Sequence, residues 1–453
     1  MSPLRSVSLV PVMLLAACNA GLQRPALPEL DPQARFSAAA PGADAAGVEA
    51  THWWRNAVAE KRWAFIEKAV TDNPEARAAE ARTVAARAQL ARAEAASGPS
   101  LDLRAGAQVQ RLSGDTSNNR TIGLDGAVPI DINNAIGLRV EAARAELRAA
   151  EADTRQLRSD LARDLILAMI DGAEAQQRYQ LLDSQIDVAK TLLRLTELRF
   201  SLGLAASVDV LQQRDQLAAL HQQLPIATLD RHRAGNNVRL IGGMSPGRMI
   251  SVPEDLPRID PNFVQVEPAQ LLQRRSALRA SQARLAAADA EFAAALADRW
   301  PTLQLSAGTL SRAAAGDLTS VLSAALDAAV SLFDSGERRA IAAQRRAELV
   351  TAGERLLSDW LDAVIEVDDL IHTEASLRER IALSSERLET ARALLRAAQR
   401  RYERGISDYL PVLEALRGLQ QQQRDHLALR AELARSRVRL HRSLGDPVAQ
   451  ESL

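Results

Sequence analysis

The side chains that could catalyse a reaction or bind a metal are few in this chain, and their spacing fits neither role. Asp368 and Asp369 are adjacent carboxylates, and adjacent residues point apart on a helix. No P-loop or HExxH motif is present. The sequence contains one cysteine, Cys18, and six histidines without ligand spacing: His52, His221, His232, His372, His426 and His441. These residues predict no active site, no metal site and no bound cofactor.

The surroundings of the single cysteine indicate lipid attachment. Arg5 is followed by the apolar run Leu9–Ala16, and small residues come directly before Cys18. That run is too short to span a bilayer and is typical of a signal peptide. The pattern resembles a bacterial lipobox, which predicts a signal peptide over 1–17 and Cys18 as the lipidated N-terminus. The alternative is an ordinary signal peptide with an incidental cysteine.

The composition favours long helices and excludes some partners. Acidic and basic residues nearly cancel, 57 against 56, and are interspersed along the chain. The lack of a basic stripe argues against nucleic acid as the main partner. Aromatic residues make up 3% of the chain, whereas Ala, Leu, Arg, Gln and Glu are abundant. Such a composition favours helices packed through small side chains over a bulky globular core.

A stretch with the features of a turn occurs twice in the chain. Leu198–Arg214 matches Arg400–Leu416: Arg-Phe corresponds to Arg-Tyr, Gly-Leu to Gly-Ile, and Val-Leu occurs in both. The same offset relates Pro99–Leu103 to Pro301–Leu305. A register kept over this distance, with two copies of a long period, indicates a duplicated domain.

Each copy also contains two stretches that alternate apolar and polar residues, as strands with one face in lipid do. These predicted strands are Leu101–Val109, Ile122–Ile132, Leu303–Ala307 and Leu322–Leu332. Polar loops containing glycine are predicted between the paired strands, at Ser113–Arg120 and Ala314–Asp317.

The sequence limits the structures with which this chain could cross a membrane. After Cys18 no apolar run approaches the ~20 residues of a membrane helix, so a crossing would require a closed barrel. Four strands cannot close, because the smallest membrane barrels need about eight. Two interpretations remain: an oligomer that shares one barrel, or two amphipathic hairpins packed on a soluble core.

Long coiled-coil helices are predicted between the second strand and the repeated turn of each copy. Ala135–Ser201 contains no proline, and mainly apolar residues recur in steps of four and three from Leu161 to Phe200. The equivalent seam in the second copy runs from Ala363 to Tyr402. This is a heptad pattern, and a helix of ~65 residues is roughly 100 Å long.

The repeated turns complete the predicted organisation. Gly203 and Gly405 are predicted to end the long helices, and Ser207 and either Ser407 or Asp408 to cap the returning ones. The other predicted helices are Asn73–Ala96, Val208–Leu240, Pro268–Arg299 and Tyr409–Leu444. The chain then divides into a signal peptide (1–17), a lipidated N-terminal segment (18–62), repeat 1 (63–241), a linker (242–267), repeat 2 (268–445) and a C-terminal tail (446–453).

Four segments resemble the TolC family of outer-membrane efflux proteins, in its lipidated OprM/NodT-like branch. They are Arg279–Ala307 before and into the third strand, Arg401–Glu414 with its RY-x-x-G-I, Trp53-Trp54, and Asp72-Asn73-Pro74. The resemblance implies a mixed α+β membrane protein, mainly α. In it, long helical hairpins form a periplasmic tunnel, and four strands per chain join a twelve-stranded β-barrel shared by a homotrimer.

The resemblance also implies function and partners. The protein would be an outer-membrane channel that passively conducts small molecules or drugs from the periplasm to the outside, and not an enzyme. Its partners would be a periplasmic adaptor protein, an inner-membrane efflux transporter and outer-membrane lipid. A type I protein-secretion component would share the whole fold and stays an alternative. So does a periplasmic coiled-coil scaffold, although a scaffold would not need the four strands.

The residues that the resemblance assigns to function lie at the repeated turns. A closed periplasmic gate would be formed by Arg401, Tyr402, Glu414, Phe200 and Gln212, with Asp209 and Asp408 as weaker candidates. Three Glu414 side chains in a ring would favour cations over anions, unless Glu414 is one more solvated helix charge. The adaptor would contact Gly203, Leu204, Ala205, Gly405, Ile406 and Ser407. Exposed apolar tips usually mark a partner surface, but turn chemistry explains the glycines equally well.

Overall fold

The computed structural model describes residues 23–31, 34–37, 52–112, 115–248, 253–263, 265–314, 317–331 and 333–446. The predicted signal peptide and the predicted lipidation site, Cys18, lie outside these ranges, as does most of the C-terminal tail. The helices are α1 (Trp53–Ala57), α2 (Trp63–Asp72), α3 (Pro74–Ala95), α4 (Ala135–Ser201), α5 (Ser207–Ile241), α6 (Leu271–Arg274), α7 (Ser276–Ala297), α8 (Glu337–Glu403) and α9 (Leu410–Ser443). The strands are β1 (Ser100–Leu112), β2 (Asp115–Ile130), β3 (Thr302–Ala314) and β4 (Asp317–Ala329).

The same order of elements occurs in both halves of the chain: helix, two strands, long helix, turn, helix. The two long helices, α4 and α8, contain 67 residues each, which confirms the length predicted from the heptads. Asn73 separates α2 from α3, and its side-chain oxygen accepts the backbone N–H of Glu75 at 2.7 Å. An Asn that satisfies an N-terminal amide in this way starts a helix.

One helix that was predicted to be continuous is interrupted in the structure. The segment Pro268–Arg299 is interrupted at Arg275, whose backbone is extended (φ −87°, ψ 117°). The buried side chain of Arg275 donates to the carbonyl of Ala363 at 3.2 Å and to the carboxylate of Glu366. These tertiary contacts hold the guanidinium where a continuous helix would not place it, and local sequence does not reveal them.

The four strands form one antiparallel sheet in the order β1-β2-β3-β4. The hairpin loops are shorter than predicted, because β2 begins at Asp115 and β3 and β4 together leave only residues 315–316 between them. The polar residues assigned to the first loop therefore extend the strand. At their C-terminal ends, β2 and β4 are shorter than predicted. They end at Ile130 and Ala329, so Ile132 and Val330 lie beyond the strands.

The register places the predicted apolar residues of all four strands on one face, whereas Leu310 and Val321 pair on the other. Leu103 pairs with Leu124, Leu124 with Thr309, and Thr309 with Leu322. Leu103 is 70% exposed and Leu322 82% exposed. Because an antiparallel sheet normally buries one face, this face lacks a partner within the described part of the chain.

The polar residues lie on the opposite face of the same sheet. Arg104 forms an ion pair with Asp125 across two strands at 3.3 Å. On the second hairpin, the hydroxyl of Ser306 donates to the carboxylate of Asp327 at 3.0 Å. The sheet therefore has one apolar and one polar face, and both are exposed in the single chain.

Contacts divide the chain into two compact units. The first contains the sheet and is built from Arg82–Glu151 and Ala280–Asp359, with the described residues 23–30 of the N-terminal segment. The second is built from Asp31–Ala81, Ala152–Arg279 and Trp360–Leu453. The main core of the second unit joins Trp53, Trp54 and Ile66 to α4 and α9, through residues that include Leu165, Ile166 and Val438.

The heptad seams are buried, which confirms coiled-coil packing. On α4 the seam residues Leu182, Ile186 and Ala189 pack against Leu220 and Ala227 of α5. On α8 the seam residues Leu395, Ala398 and Tyr402 pack against the start of α9. Among the described residues, no helix carries an apolar stretch long enough to pass through a membrane.

Candidate functional site

The two repeated turns end the long helices by the same backbone geometry. Gly203 has φ +74° and Gly405 has φ +70°, a left-handed conformation that glycine adopts without a Cβ penalty. The next residue in each turn donates back into the helix: Leu204 N–H to Arg199 at 2.8 Å, and Ile406 N–H to the carbonyl of Arg401 at 2.9 Å. Together with a second bond from each glycine N–H, this forms a Schellman motif. The predicted roles of both glycines as C-caps are confirmed.

The predicted caps of the returning helices are wrong. Helix α5 begins at Ser207, and the carboxylate of Asp209 accepts the N–H of Ala206 at 3.1 Å. Helix α9 begins at Leu410 and has no side-chain cap. Pro411 lies in the first turn of this helix and has no backbone N–H. The helix start therefore has one amide donor fewer that would need an acceptor. The hydroxyl of Ser407 is buried without a hydrogen-bond partner among the described residues.

A stack of side chains joins four helices beside the turns, and we call Arg199, Tyr402, Tyr409 and Gln213 the tyrosine stack. The guanidinium of Arg199 lies 4.4 Å from the ring centroid of Tyr402. The rings of Tyr402 and Tyr409 meet edge to face at 5.4 Å. The hydroxyl of Tyr409 donates to Gln213 Oε1, and Gln213 Nε2 donates to the carbonyl of Ala189 at 2.9 Å. Burial raises the pKa of the Tyr409 hydroxyl, which therefore stays a proton donor at physiological pH.

Amide side chains continue this polar connection along the hairpins. Arg417 Nε donates to Gln216 Oε1 at 2.8 Å, and Gln216 Nε2 donates to Gln420 Oε1 at 3.2 Å. Further from the turns, Gln185 Nε2 donates to Gln423 Oε1 at 3.0 Å. This ladder and three members of the tyrosine stack were not predicted from the sequence. The run of four glutamines from Gln420 to Gln423 was the available signal.

The structure brings one of the predicted gate residues into the stack and leaves the others outside it. Tyr402 is 6% exposed, whereas Phe200 is 48% exposed. Arg401 and Glu414 lie on the surface of the single chain, and Gln212 is half-buried. The weaker candidates differ from each other, since Asp209 binds a backbone amide and Asp408 is exposed.

The predicted adaptor-contact residues form two exposed tips. Leu204 is 61% exposed and Ile406 60% exposed, while Ala205 and Ser407 are half-buried. A Cβ atom built on Gly203 or Gly405 would meet no atom within 4 Å. Large apolar side chains therefore face solvent at both turns of the isolated chain.

Buried carboxylates connect α9 to each long helix. Glu374 of α8 is 0% exposed and accepts from Arg437 Nη2 at 3.0 Å, with Arg378 at 3.3 Å. A carboxylate of α4, Glu174, is also buried and pairs with Arg435. Two arginines two positions apart on α9 thus reach two different long helices.

One cluster has the composition of a catalytic triad but not its geometry. The hydroxyl of Ser37 lies 2.8 Å from His372 Nε2 and donates to Asp368 Oδ2 at 2.7 Å. In a triad the carboxylate orients the far nitrogen of the histidine, whereas here it binds the serine. The cluster fastens the N-terminal segment to α8. Among the described residues, no group of three or more His, Cys, Asp or Glu side chains could hold a metal.

The model of the family described as "Outer membrane efflux protein" matches residues 65–244 and 268–446. The chain belongs to this family. It is an outer-membrane efflux protein, and the resemblance recognised in the sequence is confirmed.

Known proteins of similar sequence and structure agree with this assignment. The pyoverdine export outer membrane protein OpmQ of Pseudomonas aeruginosa is 26% identical over 98% of this chain and 97% of its own length. The toluene efflux pump outer membrane protein TtgI of Pseudomonas putida is 25% identical over 84% of each chain. The solved structure of the outer-membrane channel OprN superposes with a TM-score of 0.83, at 27% identity, over 93% of this chain and 99% of that one. These relatives are export and channel proteins.

Proposed function

We propose that this outer-membrane efflux protein is the exit duct of a tripartite pump, conducting small molecules passively from the periplasm to the outside. The observation that carries the proposal is the four-stranded sheet, whose apolar face is exposed and whose outer strands β1 and β4 have no neighbour in the described chain. Exposed strand edges pair with another chain unless they are blocked. Three chains would join these edges into a closed barrel of twelve strands, above the minimum of about eight.

The helical part supplies the periplasmic end of the duct. We propose repeats at 63–241 and 268–445, joined by the linker 242–267, so that each chain contributes two hairpin turns. Three chains would then place six similar tips around one opening. The apolar tips containing Leu204 and Ile406 would bind a periplasmic adaptor, since exposed apolar tips usually mark partner surfaces. An inner-membrane transporter would deliver the cargo.

We further propose that the gate lies beside these turns. Arg401, Tyr402 and Glu414 of the second hairpin, with Phe200 and Gln212 of the first, would narrow the opening. Three exposed Glu414 carboxylates would make it cation-selective. Conduction through such an opening needs no bond making, so the protein would not be an enzyme. Lipidation of Cys18 would add an anchor in the outer membrane.

The cargo class follows from the relatives. Their printed names refer to pyoverdine, toluene and solvents, which are small molecules of different chemistry. A duct whose relatives serve such different compounds is a common exit, and the transporter would select among them. This favours small-molecule efflux over protein secretion.

The first experiment measures the molecular mass of the protein and its contribution to efflux. Full-length protein would be fractionated, and its detergent-corrected mass measured by light scattering. We expect a trimer in the outer-membrane fraction, and increased dye retention in cells after deletion of the gene. A soluble monomer or dimer would exclude the shared barrel. A trimer whose deletion leaves dye retention unchanged would exclude the efflux role.

A further inference from the structure

A cleft of about 710 Å³ lies where the residues before and within α2 meet α4 and the linker. We call it the linker cleft. Its apolar wall is formed by Phe65, Met169 and Leu256, and Met169 is 3% exposed. Its basic side chains are Lys61, Arg62 and Arg258. The volume is in the range of ligand pockets, about 300 to 1,000 Å³.

Arg62 is the unusual residue of this cleft. It is half-buried, and no carboxylate or carbonyl among the described residues accepts from its guanidinium. Its neighbour Arg55, by contrast, donates to Glu67 and lies over the ring of Trp63. Burial lowers the pKa of Arg62, with no opposing carboxylate. A partly buried cation without a partner costs free energy, which an anion in the cleft would recover.

A second basic cleft of about 430 Å³ adjoins the first, and Glu254 lines both. Its basic residues are Arg231, His232 and Arg239. Arg231 lies 4.5 Å from the ring centroid of Tyr179 and has no carboxylate partner among the described residues. The acidic groups along both clefts are Glu254 and Asp255, and Asp255 already accepts from Gln177 Nε2 at 2.9 Å. Positive charge therefore dominates on both sides of Glu254.

The wall that separates the two clefts is main chain without regular structure. Within the described residues, the backbone N–H groups of Glu254, Asp255 and Leu256 donate to no backbone carbonyl. Main-chain donors that no described backbone carbonyl accepts, beside an apolar pocket, suit an extended peptide, which can pair its own carbonyls with them. A small anion would use the arginines but not this edge.

We propose that the linker cleft and the adjoining basic cleft bind an extended acidic peptide segment of a partner protein, with acidic side chains at both ends and apolar side chains between them. One acidic end binds Arg62, and the other binds Arg231. Arg239 adds positive charge beside Arg231, although its guanidinium already donates to the carbonyl of Arg248 and to Asn236 Oδ1. The apolar side chains occupy the wall formed by Phe65, Met169 and Leu256. The site shares no residue with the hairpin turns, so it is independent of the proposed duct and its adaptor contacts.

The test is calorimetric titration of the intact, detergent-solubilised protein with a capped Glu-Glu-Leu-Leu-Glu-Glu peptide. The matched probe replaces every Glu with Gln, and glutarate serves as a small dicarboxylate. We expect the acidic peptide to bind about tenfold more tightly than its amide analogue, because charge-assisted hydrogen bonds are lost in the latter. Binding should weaken as sodium chloride rises from about 50 to about 500 mM.

Three variants separate the site from a folding defect. Arg62→Gln should weaken the acidic peptide about tenfold, while Arg387→Gln, an exposed arginine on α8, should leave the dissociation constant unchanged. Glu254→Gln removes a like charge and should tighten binding about threefold. A misfolded variant would not bind more tightly.

Equal affinity for the Glu and Gln peptides, or an unchanged constant in Arg62→Gln, overturns the proposal. Glutarate binding as tightly as the peptide also overturns it, because the main-chain edge would then contribute nothing. Gly405→Asp should bind the peptide normally even if it loses efflux, because the hairpin turn is not part of the peptide site.

Discussion

Tyr402 and Tyr409 pack edge to face with ring centroids 5.4 Å apart, and their hydroxyl groups have different surroundings. The hydroxyl of Tyr409 donates to Gln213, whereas that of Tyr402 is buried near Arg199 and Thr196 and makes no hydrogen bond of good geometry among the described residues. Two similar rings in one stack therefore serve two different purposes. Tyr402 packs beneath Arg199, and Tyr409 connects α9 to α5.

This difference predicts opposite results for two matched variants. Tyr409→Phe leaves the buried oxygen of Gln213 unsatisfied and should destabilise the protein by about 1–3 kcal/mol. Tyr402→Phe keeps the ring and loses no hydrogen bond, so its effect should stay within about 0.5 kcal/mol. Thermal unfolding followed by circular dichroism would rank them. Equal destabilisation by both would show that the hydroxyl of Tyr402 is bound after all.

Charge at the proposed gate is tested by Glu414→Gln. Removing three carboxylates from a ring should lower the cation-to-anion permeability ratio about fivefold, equivalent to roughly 1 kcal/mol. Single-channel recording in planar bilayers measures the ratio from reversal potentials. Glu386→Gln, at an exposed glutamate on α8 rather than α9, is the control and should not change the ratio. A ratio unaffected by Glu414→Gln would make this residue an ordinary surface charge.

The hairpin tips are tested by Gly203→Asp and Gly405→Asp. The positive φ at each position costs a non-glycine residue about 1–2 kcal/mol, which the folded trimer should tolerate. The new carboxylate should nevertheless abolish efflux, because it adds charge to an apolar contact surface. Dye retention in cells and trimer mass are the measurements.

The matched control for the tips is Gly247→Asp in the linker. Gly247 has φ +84°, and a Cβ there would also meet no atom within 4 Å. The backbone strain is then similar in all three variants, and only the position of the new carboxylate differs. Normal efflux in all three variants would rule out docking at the turns.

The buried carboxylate of Glu374 should be far more sensitive than its exposed partner. Glu374→Gln leaves Arg437, which is 17% exposed, without its counter-ion and should cost about 3–5 kcal/mol. Arg378→Gln removes only a half-exposed partner and should cost about 0–1 kcal/mol. Denaturant unfolding of the two variants compares these values directly. Similar small losses would mean that water reaches the Glu374 site.

Asp446 predicts a pH dependence of stability. Its carboxylate accepts the N–H of Trp53 at 3.0 Å, and burial raises its pKa although the N–H of Trp53, His52 and Arg274 act in the opposite direction. Because the folded-state pKa lies above the unfolded one, this group destabilises the fold above the folded pKa, and the penalty disappears as pH falls towards the unfolded pKa. Asp446→Asn keeps an acceptor for Trp53 and should therefore raise the melting temperature at neutral pH.

The pH series supplies the check on Asp446. The difference in melting temperature between Asp446→Asn and the unmodified protein should shrink as pH is lowered towards the ordinary range of an aspartate. A difference that grew on acidification would reverse the sign and show that the native carboxylate is stabilised by its basic neighbours.

Periodicity alone was sufficient to predict most elements of this protein. The heptads of α4 and α8 and the alternation of β1–β4 depend on which residues share a face, and local geometry decides that. The duplication and the two glycine turns were also visible, because a left-handed C-cap requires glycine at a defined position. Element ends were less accurate: the strands extend into both predicted loops, because backbone pairing with the neighbouring strand holds polar residues there despite their weak strand propensity.

Contacts between distant residues were decided by tertiary packing. Nothing in the sequence near Arg275 shows that its side chain reaches Glu366, or that Tyr409 meets Gln213. The failure of the predicted cap at Ser207 has a local cause instead, because the carboxylate of Asp209, three residues after Ala206, binds the N–H of Ala206. A repeating pattern predicts which face of an element is buried, whereas a single polar side chain chooses its partner only after helices distant in sequence have packed together.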